Sequence, residues 1–145
     1  MWKEKLELIK NEKKQYNEYL NAGEGNKEII SYLANHESLI IPKAYIEFLN
    51  KMNGFEFDGC ILYGIGSNNS EQKGNIFDLF ERNEIWHETF DKETYTFLGE
   101  TNLCWYVYNK RTQKYNVLDI PSAYLLDECT MLDDMLDIFF DEINI

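Results

Sequence analysis

Two histidines occur in this chain, His36 and His87, and only the second stands among residues that could work with it. The hexapeptide NEIWHE (83–88) sets an amide, two carboxylates, an indole and an imidazole side by side. Such a mixture could ligate a metal, move protons or form a recognition surface. A zinc-protease helix requires a second His four residues after the first, and position 91 is Asp. A zinc deaminase requires Glu two residues after its His and a separate Pro-Cys-x-x-Cys run; position 89 is Thr, and the run is absent. An isolated His beside a Glu then reads as a surface or loop residue, and no metal is expected. Gly64-Ile65-Gly66 continues as Ser67-Asn68-Asn69, without the third glycine or the lysine of a phosphate-binding loop. No Gly-x-Ser-x-Gly nucleophile motif occurs.

The three cysteines, Cys60, Cys104 and Cys129, are far apart and form no Cys-x-x-Cys pair, so they read as small buried apolar residues. Carboxylates are abundant, but abundance is not pairing within a cleft. The expectation is therefore a protein that is not an enzyme and holds no cofactor.

Charge points toward binding. The net charge is −12, and Tyr115 to Ile145 contains no Lys or Arg. A surface of that sign repels phosphate backbones, which argues against direct nucleic-acid binding, and attracts a basic protein. The 145 residues suit one domain, 1–145, and aromatics at 15% supply a core. No apolar run is long enough to span a bilayer. The N-terminal MWKEKLELIK is charged throughout and lacks the apolar stretch of a secretion signal. A soluble, cytoplasmic protein is expected, with no membrane association.

These residues need elements to position them. Trp2, Leu6, Ile9, Tyr16 and Leu20, interrupted at Lys13, predict a helix over 2–20. Asn26 is placed to cap a second, short helix to about Leu33, with Ile29, Ile30 and Leu33 on its apolar side. Pro42 fits the first turn of the next helix; Tyr45, Phe48, Leu49 and Met52 share its apolar face, and Asn53-Gly54 stops it. Cys60–Tyr63 reads as a strand between Gly59 and Gly64, and 67–75 as a polar loop. A turn or short helix is expected around Ile76–Phe80, and another near NEIWHE. There Ile85 and Trp86 would anchor the segment, Asn83 would serve a turn or cap, and Glu84, His87 and Glu88 would form a solvent-facing rim.

Strands follow over Thr94–Leu98, Leu103–Asn109 and Lys114–Leu118, with Trp105 and Tyr106 on opposite faces. A further short strand is expected over Ala123–Asp127. Thr130, with Asp133 three residues on, predicts a capped final helix. Leu132, Met135, Leu136, Phe139, Phe140 and Ile143 form its apolar stripe, and Asp134, Asp137 and Asp141 lie off it. Helices, an antiparallel meander and a closing helix give an α+β class.

The segment IPKAYIEFLNKMNGFEFDGCILYG (41–64) resembles the helix–turn–strand signature of the SUKH superfamily. Pro42 opens the helix, Tyr45 and Phe48-Leu49 ride on it, Asn53-Gly54 stops it, and Tyr63-Gly64 ends the strand. NIFDLFERNEIWHE (75–88), with Trp86, and FLGETNLCWYVYNKRTQKYNVLDIPS (97–122), with Trp105, are similar to the YrhA-like branch, as are the N-terminal residues and the final acidic helix. The stretch before Pro42 departs from that branch: it is shortened and carries Gly23 and Gly25. The resemblance implies a SUKH-like domain with a twisted, mainly antiparallel sheet packed against helices. It also implies an immunity protein of a bacterial polymorphic toxin system, which binds and occludes a cognate toxin. The acidic charge suits a basic, nuclease-type toxin. A non-catalytic regulatory or scaffold module of the same superfamily is the alternative. Partner contact is expected at Glu84, His87, Glu88, Asp134, Asp137 and Asp141.

Overall fold

The computed structural model describes residues 1–16, 20–66 and 76–145. Within them lie α1 (Trp2–Gln15), α2 (Asn26–Asn35), α3 (Lys43–Lys51), β1 (Phe55–Phe57), β2 (Cys60–Leu62), α4 (Leu79–His87), β3 (Tyr95–Glu100), β4 (Cys104–Asn109), β5 (Lys114–Asp119), β6 (Leu125–Cys129) and α5 (Leu132–Asp141). The strands form one antiparallel meander in the order β1-β2-β3-β4-β5-β6. This is the expected α+β arrangement. The expected polar loop at 67–75 lies outside the described residues.

Alternation along β4 shows how the sheet is covered. Tyr106 meets Phe139 of α5 at 5.2 Å between ring centroids, and Trp105 meets Trp86 of α4 at 5.3 Å. Neighbouring strand residues point to opposite faces, so α5 and α4 sit on opposite sides of the sheet. On the α5 side, Trp2 stacks on Phe140 at 5.6 Å, and Phe55 meets the same ring edge-on at 5.0 Å. The whole α5 stripe is buried, from Leu132 to Ile143.

The helix–turn–strand segment closes on itself. Pro42 occupies the N-cap position of α3, and Tyr45, Phe48, Leu49 and Met52 are buried. The Tyr45 hydroxyl reaches the carbonyls of Tyr63 and Leu98. The Asn53 amide donates to the Ile65 carbonyl at 3.0 Å and accepts from the Ile65 N–H at 2.8 Å, pairing with backbone as a strand would. Gly64 is needed for this approach, because a Cβ there would fall 2.6 Å from Asn53 Oδ1. Gly23 lies against the end of α3, where a Cβ would overlap the Asn50 carbonyl. The adjacent Glu24 N–H donates to the Leu49 carbonyl at 2.9 Å. This stretch thus supplies a donor to a helix end that would otherwise lack one.

Several expectations are corrected. The first helix ends at Gln15 rather than residue 20, and 17–19 lie outside the described residues. Lys13 belongs to its buried stripe, with the ammonium 5.8 Å from the Phe57 ring, while Tyr16 is exposed; a lysine stem covers apolar surface as a hydrophobe does. Asn26 is the first residue of α2, with Gly25 at the N-cap position, and Ile30 is exposed. Strand β1 was not foreseen. Asp58 and Gly59 both have positive φ, 51° and 80°, and link β1 to β2 as a two-residue hairpin turn. The two helical pieces expected at 76–88 are one helix, α4. The strand expected at Ala123–Asp127 runs from Leu125 to Cys129, since Ala123, at φ 62°, belongs to the turn. Thr130 does not cap α5; Met131 holds that position, without a side-chain bond.

Candidate functional site

Helix α4 is fixed at its start by one carboxylate. Asp78 Oδ2 accepts from the Glu81 N–H at 3.0 Å, which satisfies a free helix-end donor. Its Oδ1 accepts from the Tyr32 hydroxyl at 2.8 Å and the Gly66 N–H at 2.9 Å. The Tyr32 oxygen in turn accepts from the Phe80 N–H at 2.9 Å, so α2 and α4 are locked through a phenol whose pKa burial raises. The Asp-Leu-Phe-Glu spacing at 78–81 is a capping signature that would have located this helix start.

Farther along, Asn83 replaces a strand neighbour. It is only 2% exposed, donates to the Phe97 carbonyl at 2.9 Å and accepts from the Phe97 N–H at 2.7 Å. Strand β2 pairs with β3 at Gly99 and Glu100, and the Tyr63 N–H continues to the Leu98 carbonyl. Asn83 takes over at Phe97. It serves neither a turn nor a cap, and backbone groups of β3 left inside the protein account for its burial.

Trp86 anchors the helix as expected. Its indole N–H donates to the Tyr63 hydroxyl at 2.9 Å, and that hydroxyl donates to Glu100 Oε1 at 2.7 Å. Arg82 stands 3.7 Å from the same carboxylate and lies over the Phe77 ring at 4.8 Å. Burial, then the Glu100 charge, holds the Tyr63 phenol well above its ordinary pKa, so it remains a donor. Ile85 is no anchor: it is 48% exposed, on the side of α4 away from the sheet.

The outer side of α4 gathers three expected contact residues. Glu84 and Glu88 are exposed, one helical turn apart, and His87 is half-buried between them. All three line a groove of about 300 Å³. Leu39 and Phe80 give it apolar wall, and Lys92 is the cation on its lining. His87 Nε2 lies 2.8 Å from the Tyr95 carbonyl. A carbonyl only accepts, so Nε2 carries the hydrogen and Nδ1 is the nitrogen that titrates. Burial lowers the His87 pKa, opposed by the Tyr95 bond and reinforced by Lys110 and Lys92, so the neutral ring is favoured. Neither Trp86 nor Trp105 lines this groove.

The α5 candidates are elsewhere and are not alike. Asp137 Oδ1 accepts from the Trp2 backbone N–H at 2.6 Å, and Asp133 Oδ1 from the Trp2 indole at 3.0 Å. Glu142 accepts from the Tyr106 hydroxyl at 2.6 Å. These three carboxylates hold α1 and β4 in place. Asp134 and Asp141 are exposed.

The cysteine thiols are buried and free. Burial first, then acids including Glu142, pushes Cys60 up to about 11 and Cys104 to about 12; burial also raises Cys129. Protonated thiols are poor nucleophiles at neutral pH. Among the described residues no three His, Cys, Asp or Glu side chains are grouped to hold a metal ion, and no helix is long and apolar enough to cross a membrane. No model of a known protein family matches the chain, and no curated protein matches it.

Proposed function

We propose that this chain is a non-catalytic, YrhA-like protein of the SUKH superfamily, acting in the cytoplasm as an immunity protein. It binds a cognate toxin domain and neutralises it by occlusion. The observation that carries the reading is the pair of exposed carboxylates, Glu84 and Glu88, beside a groove with an apolar wall, in a chain of net charge −12. A nuclease-type toxin must hold phosphates and so presents Lys and Arg. Such a surface is drawn to this one from a distance, and its side chains fit between the two glutamates once it arrives. Asp134 and Asp141, whose carboxylates have no hydrogen bond or ion pair among the described residues, add charge that steers the encounter.

Co-expression with the protein encoded beside it tests this. Rescue from that neighbour's toxicity, and a complex whose association slows in salt and in Glu84→Lys/Glu88→Lys, are expected. A toxic neighbour that forms no complex sinks the reading. A harmless neighbour that does bind moves the chain to the regulatory or scaffold role.

A further inference from the structure

We propose that the outer edge of β6 is a strand-addition site for an extended, Lys- or Arg-bearing segment of the partner protein, an inference that rests on the partner-binding reading and names where and with what the partner docks. The sheet has two edges, and they differ. Strand β1 has three residues; Phe55 is buried, and Phe57 lies under the Lys13 ammonium. Strand β6 has five residues, of which only Cys129 is buried. Tyr124, Leu125 and Leu126 are 76%, 57% and 56% exposed. Edge strands are usually shortened, covered or studded with lysine, because their free N–H and C=O groups invite another strand. β6 has no lysine and an apolar start.

The register explains the double exposure. Leu118 faces Leu125 and Val117 faces Asp127, so Leu126 is the extra residue of a bulge. The bulge leaves both leucines outside the core.

Charge selects the occupant. Glu128 is already matched, with Lys114 Nζ at 3.5 Å and Asn116 Nδ2 at 3.3 Å. Asp127 forms no ion pair among the described residues; its Oδ1 accepts only from the Glu128 N–H, at 3.1 Å, and so lies along the strand's own backbone. Asp127 faces Val117, which faces Tyr106 on the side of the sheet that α5 covers, so Asp127 stands on the same side of the edge as the helix that carries the exposed Asp134. A second copy of this chain cannot answer them. Residues 115–145 carry no Lys or Arg, so β6 paired with itself sets acids against acids or leucines. A foreign strand alternating apolar and basic residues meets the leucines, the edge backbone and the carboxylates together, its lysine drawing Asp127 away from the Glu128 N–H.

The test uses the full chain and a labelled short peptide alternating valine and lysine, with a valine–glutamate peptide as counter-probe. The lysine peptide is expected to bind and to slow hydrogen exchange on β6; the glutamate peptide is not. Asp127→Lys should weaken binding about tenfold and Asp127→Asn about threefold, whereas Glu28→Lys, the same reversal of charge at an exposed position of α2, should cost less than about twofold. Near-UV circular dichroism confirms that each variant is folded. Equal losses at Asp127 and Glu28, exchange protection confined to other strands, or a dimer of the free chain abolished by Leu126→Lys would each overturn the assignment. The two readings fail separately. A toxin that binds Asp127→Lys as well as the parent chain removes the edge and leaves the immunity role. Peptide docking on β6 beside a harmless neighbouring gene product removes the immunity role and leaves the edge.

Discussion

Counted with their cap residues, helices α4 and α5 carry four and five carboxylates yet are built on different principles. α5 is held by a continuous apolar stripe, with Met135, Leu136, Phe139 and Phe140 all at or near zero exposure. α4 buries Leu79 and Asn83 fully and is otherwise tied down by polar bonds: Asp78 to Tyr32, Asn83 to Phe97, Trp86 to Tyr63 and His87 to Tyr95. The carboxylates follow suit. On α5 and just beyond it, Asp133, Asp137 and Glu142 are consumed in holding Trp2 and Tyr106. On α4 and just beyond it, the carboxylates of Glu84 and Glu88 form no hydrogen bond or ion pair within the described residues and are exposed beside the groove. A count of acidic residues therefore does not locate a binding surface; what each carboxylate already touches does.

The contrast can be broken with two truncations. Phe140→Ala removes a ring that touches Trp2, Phe55 and Phe139. It should cost about 3–5 kcal/mol in urea unfolding, the usual loss for a buried ring. Asn83→Ala removes almost no apolar area but leaves the Phe97 N–H and C=O buried without partners. At about 1–3 kcal/mol for each unmet group, the loss should come to about 2–6 kcal/mol, with faster hydrogen exchange at Phe97. A loss below about 1 kcal/mol at Asn83, within the range of ordinary surface substitutions, would mean that water or backbone movement replaces the amide and that α4 is not polar-anchored.

This difference also explains what could be read in advance. The stripe of α5, the helix face at Tyr45–Met52 and the β3–β5 meander were legible because burial there follows a period of 3.6 or 2. α4 was not, since its inward residues at 79, 82, 83 and 86 include Arg and Asn, which satisfy backbone and carboxylates rather than fill a core. Strand β1 was missed although Asp58-Gly59 is a hairpin signal, because three residues are too few to show alternation. Of the candidate contacts, Glu84, His87 and Glu88 do share one groove. The role of Asp137 depended on Trp2, 135 residues away, which no local pattern discloses.

A smaller effect separates the acids of α5 from one another. Asp137→Asn weakens a charge-assisted bond to the first N–H of α1 and its favourable placement at a helix N-terminus. About 1–2 kcal/mol is expected, with α1 loosening first in hydrogen exchange. Asp134→Asn should stay within about 0.5 kcal/mol of the parent chain, as for other exposed positions. Equal effects at the two sites would erase the division between structural and free carboxylates on this helix.

The smallest effect is one of pH, and it belongs to α4 alone, because α5 has no histidine. The His87 imidazole is pushed below its ordinary 6.5 by burial first, then by Lys110 and Lys92, against the raising influence of the Tyr95 carbonyl and Asp91. The folded chain therefore resists a proton that the unfolded chain accepts near 6.5. The unfolded state then binds more protons in that window, so stability must rise with pH across it. The stability is fully present above the unfolded value and is lost as pH falls toward the folded one. His87→Gln keeps a side-chain donor for the Tyr95 carbonyl and removes the titration. Its unfolding free energy should fall less steeply than the parent's as pH drops below 6.5, while the two run parallel above it. A parent chain that gains stability relative to His87→Gln on acidification would mean that the Glu84 and Glu88 carboxylates, not burial, govern the ring. The groove would then hold a second cation beside Lys92 before any partner arrived.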